Sequence, residues 1–218
     1  FGEDVYQRTL DIMVPFLASI REETGVTLSD LNLGGGYGVR YTAEDEAINI
    51  PTRLAELAAY LKEETERLGL PMPRFLMEPG RSIVADAGMT LYTVGSVKRI
   101  PSYKQYAAVD GGMTDNPRYA LYQSRYTVYH AHKSGSLERF DVVGRCCESG
   151  DIIQPGVELP GDICRGDLLA VCTTGAYNYS MASNYNRLPR PAVVMLTPDR
   201  IYEAVRRETF ADLTGLDL

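Results

Sequence analysis

Lysine is scarce. Lys62, Lys98, Lys104 and Lys133 stand against 18 arginines in a chain of 218 residues. Chemistry that needs a lysine nucleophile therefore has four candidates, whereas the planar, two-pronged recognition of carboxylate and phosphate at which arginine excels is well supplied. The four cysteines, Cys146, Cys147, Cys164 and Cys172, lack CxxC spacing. On a strand, adjacent Cys146 and Cys147 would point to opposite faces, a poor metal clamp, so no metal site is expected and reduced thiols of a cytoplasmic protein are. The two histidines, His130 and His132, sit in what reads as strand alternation, which suits a structural or solvent-facing role and leaves no placed base for a Cys–His nucleophile. No apolar run reaches the roughly 18 residues of a membrane span. Positive charge is outweighed, with a net charge of −7 and a pI near 5.0, so no global field attracts nucleic acid. The chain begins at Phe1 with neither the basic n-region nor the apolar h-region of a signal peptide; it reads as a piece of something longer.

What is present is an ordinary globular composition, 44% hydrophobic and 23% charged, in two halves of different rhythm. Residues 4–24 carry apolar groups at mostly helical spacing, with Gly25 as a stop. Leu31–Leu33 reads as a short strand running into Gly34-Gly35-Gly36. The longest helix is expected over 51–68, with Pro51 in its first turn. Arg74–Glu78 is a second strand, and Ser82–Ala87 starts another helix. This is the alternation of a parallel α/β arrangement. From Gly88 onward, strands are expected at Met89–Ile100, Tyr106–Asp110, Arg125–Ala131, Arg139–Val143, Leu168–Thr173, Ala192–Leu196 and Ile201–Val205, the last two as a hairpin across Thr197-Pro198-Asp199. The fold class is thus α/β plus all-β, with residues 1–87 in an α/β part and 88–218 in an antiparallel β domain. Two α/β turns close neither sheet nor barrel, so residues 1–87 are expected to be the less stable part.

Five segments are candidates for chemistry. Gly34-Gly35-Gly36-Tyr37-Gly38 follows a strand and would turn backbone N–H groups toward an anion, although it lacks the GxGxxG frame and the P-loop lysine. Glu78-Pro79-Gly80-Arg81 ends the next strand; if the two strands are parallel neighbours, both loops lie at the sheet end where α/β proteins bind ligands. Asp110-Gly111-Gly112 through Asn116-Pro117-Arg118 and Tyr122 reads as a turn-rich loop in which Arg118 and Tyr122 are the pair suited to a carboxylate. Cys146-Cys147-Glu148-Ser149-Gly150-Asp151 sets a thiol, a proton donor, beside a carboxylate that would hold an ammonium. Gly175–Asn186, with three tyrosines, is dense in hydroxyls and amides, equally the pattern of a surface loop at a dimer contact.

In this order the segments GGGYG, EPGR, DGG…NPR…Y, CESGD and GAYNYSMASNYN resemble the diaminopimelate decarboxylases, pyridoxal-phosphate enzymes of the alanine racemase-like, ornithine decarboxylase-like fold. The resemblance runs from Gly34 to the C-terminal hairpin and implies the C-terminal portion of a (β/α)8 barrel followed by the β domain. It implies that Gly35, Gly36, Gly38, Gly80 and Arg81 hold the phosphate of pyridoxal 5'-phosphate, that Glu78 faces the pyridine nitrogen, and that Tyr177 packs near cofactor and substrate. Arg81, Arg118 and Tyr122 would grip the carboxylate at the non-reacting end of meso-diaminopimelate, and Glu148 the ammonium there. Cys147 would enter the neighbouring subunit's site and help deliver a proton, making the enzyme a homodimer with shared active sites. The family's Schiff-base lysine lies on an early barrel strand that this sequence does not contain, and its cofactor-stacking histidine is likewise missing. The expectation is that the chain alone is inactive and that the full-length parent converts meso-2,6-diaminoheptanedioate to L-lysine and CO2. Ornithine, arginine or carboxynorspermidine decarboxylation is the runner-up, disfavoured because Arg118 with Glu148 suits a distal carboxylate beside an ammonium. A non-catalytic dimerising homologue would have no need of Glu78, Arg81, Cys147 and Tyr177.

Overall fold

The computed structural model describes residues 5–218; residue 4, the expected start of the first helix, lies outside them. The chain divides into two compact units, one of residues up to Arg40 together with Glu44–Val84, the other of Tyr41–Ala43 and Ala85–Leu218.

In the first unit, α1 (Val5–Thr24) turns Leu10, Val14 and Leu17 inward and stops at Gly25, whose φ of +72° lets its N–H return to the Arg21 carbonyl at 2.9 Å. Next come β1 (Asp30–Gly35) and α2 (Ile50–Arg67), whose first turn is capped by the Asn49 side chain accepting from the Thr52 N–H at 3.2 Å. Leu57 and Leu61 of α2 join Leu10, Val14, Leu17 and Leu31 in one core. With 20 residues against 18, α1 rather than α2 is the longer helix. The strand β2 (Arg74–Glu78) pairs parallel with β1, Leu31 opposite Phe75 and Gly35 opposite Glu78. The helix expected from Ser82 is a single turn, α3 (Arg81–Val84). It ends because the Ala85 carbonyl accepts from Gly88 and Gly175 rather than from a further helical turn.

The second unit is built on a six-stranded sheet. β3 (Met89–Arg99) is long enough to pair with two strands, β8 (Leu168–Cys172) along its first half and β4 (Gln105–Val109) along its second. After β4 come the short helix α4 (Arg118–Tyr122), β5 (Val128–His130), β6 (Leu137–Val143) and β7 (Ile152–Pro160). Across the sheet the order is β5-β8-β3-β4-β6-β7. The sheet is not wholly antiparallel: β4 and β6 run parallel, because α4 and β5 intervene and supply the long connection a parallel pair needs. β7 escapes the sequence pattern, since Pro155 and Gly156 (φ +67°) interrupt it; an edge strand with a shifted register against β6 tolerates both. Tyr92, Val94, Ala107, Phe140, Val142, Ile153, Leu159, Leu169 and Val171 belong to the core. β9 (Val193–Leu196) and β10 (Ile201–Val205) form a separate hairpin, followed by α5 (Phe210–Thr214). No helix among the described residues is long and apolar enough to cross a membrane.

Candidate active site

Each unit presents its own cluster of candidate residues. In the first, the parallel pairing of β1 and β2 sets the glycine loop beside Glu78-Pro79-Gly80-Arg81. Contact between the two loops depends on glycine, because a Cβ on Gly36 would lie 2.7 Å from the Pro79 Cα. Gly34, at φ +76°, makes the turn. A residue the sequence reading passed over organises this end: the Asn32 side chain donates from Nδ2 to Glu78 Oε1 at 2.7 Å and accepts at Oδ1 from the Gly34 N–H at 2.8 Å. One amide thereby fixes both the acidic side chain and the start of the glycine loop. Tyr6 donates its hydroxyl to the Gly35 carbonyl at 2.7 Å. Among the described residues the N–H group of Gly38 makes no hydrogen bond within the chain, and Gly38 is only partly exposed.

In the second unit, three loops meet. Asp110–Pro117 leads into α4, residues 144–151 join β6 to β7, and residues 173–186 follow β8. Asp151, 5% exposed, ties the first two: one carboxylate oxygen accepts from the Met113 N–H and the other from the Cys146 N–H, each at 2.6 Å. Gly112 and Gly144 flank this carboxylate so closely that a Cβ on either would lie 2.6 or 2.2 Å from it. The Arg145 N–H adds a bond to the Gly111 carbonyl at 3.1 Å. The third loop is stitched on by Ser183 N–H to Thr114 O at 2.8 Å and by Cys147 N–H to Asn186 Oδ1 at 2.6 Å. Its own origin rests on a contact of two glycines, Gly88 against Gly175, where a Cβ would meet backbone at 2.4 Å.

The stretch from Gly112 to Arg118 is mostly buried rather than an exposed turn. Within it Asp115 accepts from the Gly112 N–H at 2.9 Å and from the Tyr92 hydroxyl, and burial raises the Asp115 carboxyl above its ordinary pKa. Cys146 and Cys147 lie in a bend, not on a strand. Cys147 is exposed, whereas burial and the adjacent Asp151 carboxylate push the Cys146 thiol up, so of the two Cys147 is the accessible one. All four cysteines are free. Glu148 is exposed, its Oε1 accepting from the Gly150 N–H at 3.1 Å, and Tyr177 is 41% exposed. His130 is structural: Nδ1 accepts from the Lys133 N–H at 2.8 Å, and Nε2 lies 3.2 Å from Asp167.

Arg118 stands apart from the other site residues by its burial. It is 4% exposed, with its guanidinium 5.2 Å from the ring centroid of Tyr122 and Nη2 donating to the Ser124 hydroxyl at 3.3 Å. Its Nε has no partner, and among the described residues no carboxylate pairs with it. A buried cation without a counter-charge is costly unless a ligand brings the charge.

Comparison with known proteins sets this geometry in context. The family described as pyridoxal-dependent decarboxylase, C-terminal sheet domain, matches residues 5–175. A diaminopimelate decarboxylase from Bacillus subtilis (strain 168) is 50% identical over 190 residues, covering 86% of this chain and 43% of that protein. The crystal structure of diaminopimelate decarboxylase from M. jannaschii in complex with L-lysine superposes with a TM-score of 0.85 at 31% identity, covering 98% of this chain and 48% of that one. The Helicobacter pylori diaminopimelate decarboxylase complexed with L-lysine gives 0.83 at 30% identity, covering 100% of this chain and 51% of that one. The chain thus spans about half the length of these relatives. With the family match running from α1 through the six-stranded sheet, the chain belongs to the pyridoxal-dependent decarboxylases of the C-terminal sheet domain family.

Proposed function

We propose that this chain is the C-terminal portion of an enzyme that decarboxylates meso-2,6-diaminoheptanedioate to L-lysine and CO2. The observation that carries the reading is Arg118, a buried guanidinium held by neutral groups alone, which suits a substrate bringing a carboxylate at its non-reacting end. Glu148, on the loop that Asp151 ties to the Arg118 loop, would hold the ammonium beside that carboxylate.

The first unit fits pyridoxal 5'-phosphate. Gly38 has an N–H group uncommitted within the chain, and with Gly35, Gly36, Gly80 and Arg81 it would take the phosphate. Glu78, oriented by Asn32, would favour a protonated ring nitrogen, and Tyr177 would pack near the cofactor. When bound, the cofactor supplies the electron sink for the pair left behind as CO2 departs. Cys147, exposed and with its backbone fixed by Asn186, would hold at Sγ the proton delivered to that carbon, in a homodimer whose subunits share active sites.

The chain's own lysines are unsuited to carry the cofactor. Lys104 and Lys133 bond Asp141 and Asp167 at 2.6 and 2.8 Å, which raises the pKa of both and keeps them protonated, the reverse of what a nucleophilic amine needs. Lys62 pairs with Glu66 on the helix surface and Lys98 lies within β3. The Schiff-base lysine would therefore come from the part of the longer protein that precedes this chain.

The test is the full-length protein supplied with pyridoxal phosphate and, separately, meso-diaminoheptanedioate, ornithine and arginine, following CO2 and lysine. Lysine is expected from the first substrate alone. Arg118→Ala is expected to lower kcat/KM by roughly a hundredfold or more, the scale for removing one partner of a buried charge pair. Turnover of ornithine or arginine in preference to the diacid would overturn the reading.

A further inference from the structure

A carboxylate that addresses a ligand has to be held, because an exposed glutamate turning about its own bonds offers its oxygens in many directions. Among the described residues the only hydrogen bond to the Glu78 side chain is the one that Asn32 Nδ2 donates to Oε1 at 2.7 Å, and Oε2 has no partner. The strand pairing makes that bond possible. Asn32 stands opposite Leu76 in the β1–β2 register, and Glu78, two residues further along β2, projects from the same face. The other end of the amide is fixed independently: Oδ1 accepts from the Gly34 N–H at 2.8 Å, where the chain turns at φ +76°. A backbone N–H can only donate, so the amide oxygen must face Gly34 and the amino group must face Glu78. The reverse orientation would set donor against donor and acceptor against acceptor. Both side chains are exposed, so burial does not demand their pairing; the turn at Gly34 holds the donor in place.

We infer that Asn32 is a positioning residue that engages Oε1 of Glu78 so that Oε2 is the oxygen left for the ring nitrogen of the cofactor. The two ends of its amide serve different partners, so the two effects are separable: removing the donor releases Glu78, and removing the acceptor loosens the start of the glycine loop. The inference rests on the functional reading above and extends it to a side chain that acts through Glu78.

The experiment measures equilibrium binding, to the cofactor-free full-length protein, of two compounds that differ at one ring position: pyridoxal 5'-phosphate and its deaza analogue, in which carbon replaces the ring nitrogen. Asn32→Ser keeps an oxygen that can accept from the Gly34 N–H but is too short to reach Glu78. It is expected to weaken binding of pyridoxal 5'-phosphate about tenfold, the scale of one hydrogen bond to a charged group, while leaving the analogue within about twofold. Asn32→Ala drops both bonds; it is expected to weaken both compounds, pyridoxal 5'-phosphate by about tenfold more, and serves as the second variant should Asn32→Ser fold poorly. In a Glu78→Ala protein the Asn32→Ser change is expected to alter neither affinity by more than about twofold, since effects exerted through one shared partner do not add. Equal weakening of both compounds, or no change in either, would overturn the inference. A wild-type protein that binds neither compound would instead sink the functional reading itself.

Discussion

The two units solve the problem of a parallel strand pair and of a sheet very differently. In the first, β1 and β2 have, among the described residues, only each other as strand partners. Their helices α1 and α2 cover Leu31, but Leu76 and Met72 stay 37% and 48% exposed. Parallel strands are ordinarily buried on both faces, and two strands alone are marginal. The second unit has six strands, and Phe140, Val142, Ile153, Leu159, Leu169 and Val171 are fully inaccessible within it. The candidate residues divide along the same line. Under the proposed function, most residues assigned to the cofactor sit at the end of the sparse pair and most assigned to the substrate on loops pinned to the larger sheet, Arg81 and Tyr177 being the exceptions. Most substrate contacts would thus lie on the well-supported sheet and most cofactor contacts on the part with the least internal support.

Hydrogen exchange gives the largest contrast with which to break that comparison. Amides of β1 and β2 are expected to exchange at least about a thousandfold faster than those of β4 and β6, since local opening ranges from nearly free up to the global unfolding energy. Equal protection in both units would show that the two-stranded pair is as well supported as the sheet. A core truncation sharpens it further. Phe140→Ala, at a residue with no exposure, is expected to cost the second unit about 3–5 kcal/mol, read as the loss of its thermal transition while the helical signal of α1 and α2 persists. Loss of both signals together would mean that the units unfold as one.

Much of this division is legible in the residues. Period-two alternation and the turns that interrupt it locate β3, β4, β6, β8 and the hairpin, and helical spacing locates α1 and α2. What escapes the pattern has identifiable physics. β7 carries Pro155 and Gly156, which read as loop until an edge position excuses them. The parallel β4–β6 pairing depends on where the chain returns, which no local pattern encodes. In the candidate site, the motif residues are visible as types, but the side chains that hold them are not. Asn32 is an ordinary polar residue on a strand until its amide is seen to bridge Gly34 and Glu78. Asp151 stands in the quoted CESGD motif, yet its bonds to Met113 and Cys146 reach one residue 38 positions away. The signal was there in Gly112 and Gly144, small because the Asp151 carboxylate needs the room.

The smallest effect probes how the second unit responds to acid. Asp167 accepts from the Lys133 ammonium at 2.8 Å and from the Cys164 N–H at 2.9 Å, and faces the His130 ring at 3.2 Å. Burial acts to raise its pKa, but these donors outweigh it and hold the carboxyl well below the usual carboxylate range. A depressed folded-state pKa means that the unfolded chain takes up the proton first as pH falls. The stabilisation is therefore complete above the unfolded value near 4 and is lost progressively below it. Asp167→Asn is expected to lower the stability of the second unit by about 1.5–3 kcal/mol at neutral pH, the scale of bonds to a charged group, and to flatten the fall in Tm as pH drops below the unfolded carboxylate value of about 4. The loops bearing Arg118 and Cys147 hang on Asp151 rather than Asp167, so this variant is expected to leave the thiol of Cys147 as accessible to alkylation as before. A slower acid transition with faster Cys147 labelling would show instead that the ion-pair cluster braces the site loops as well as the sheet.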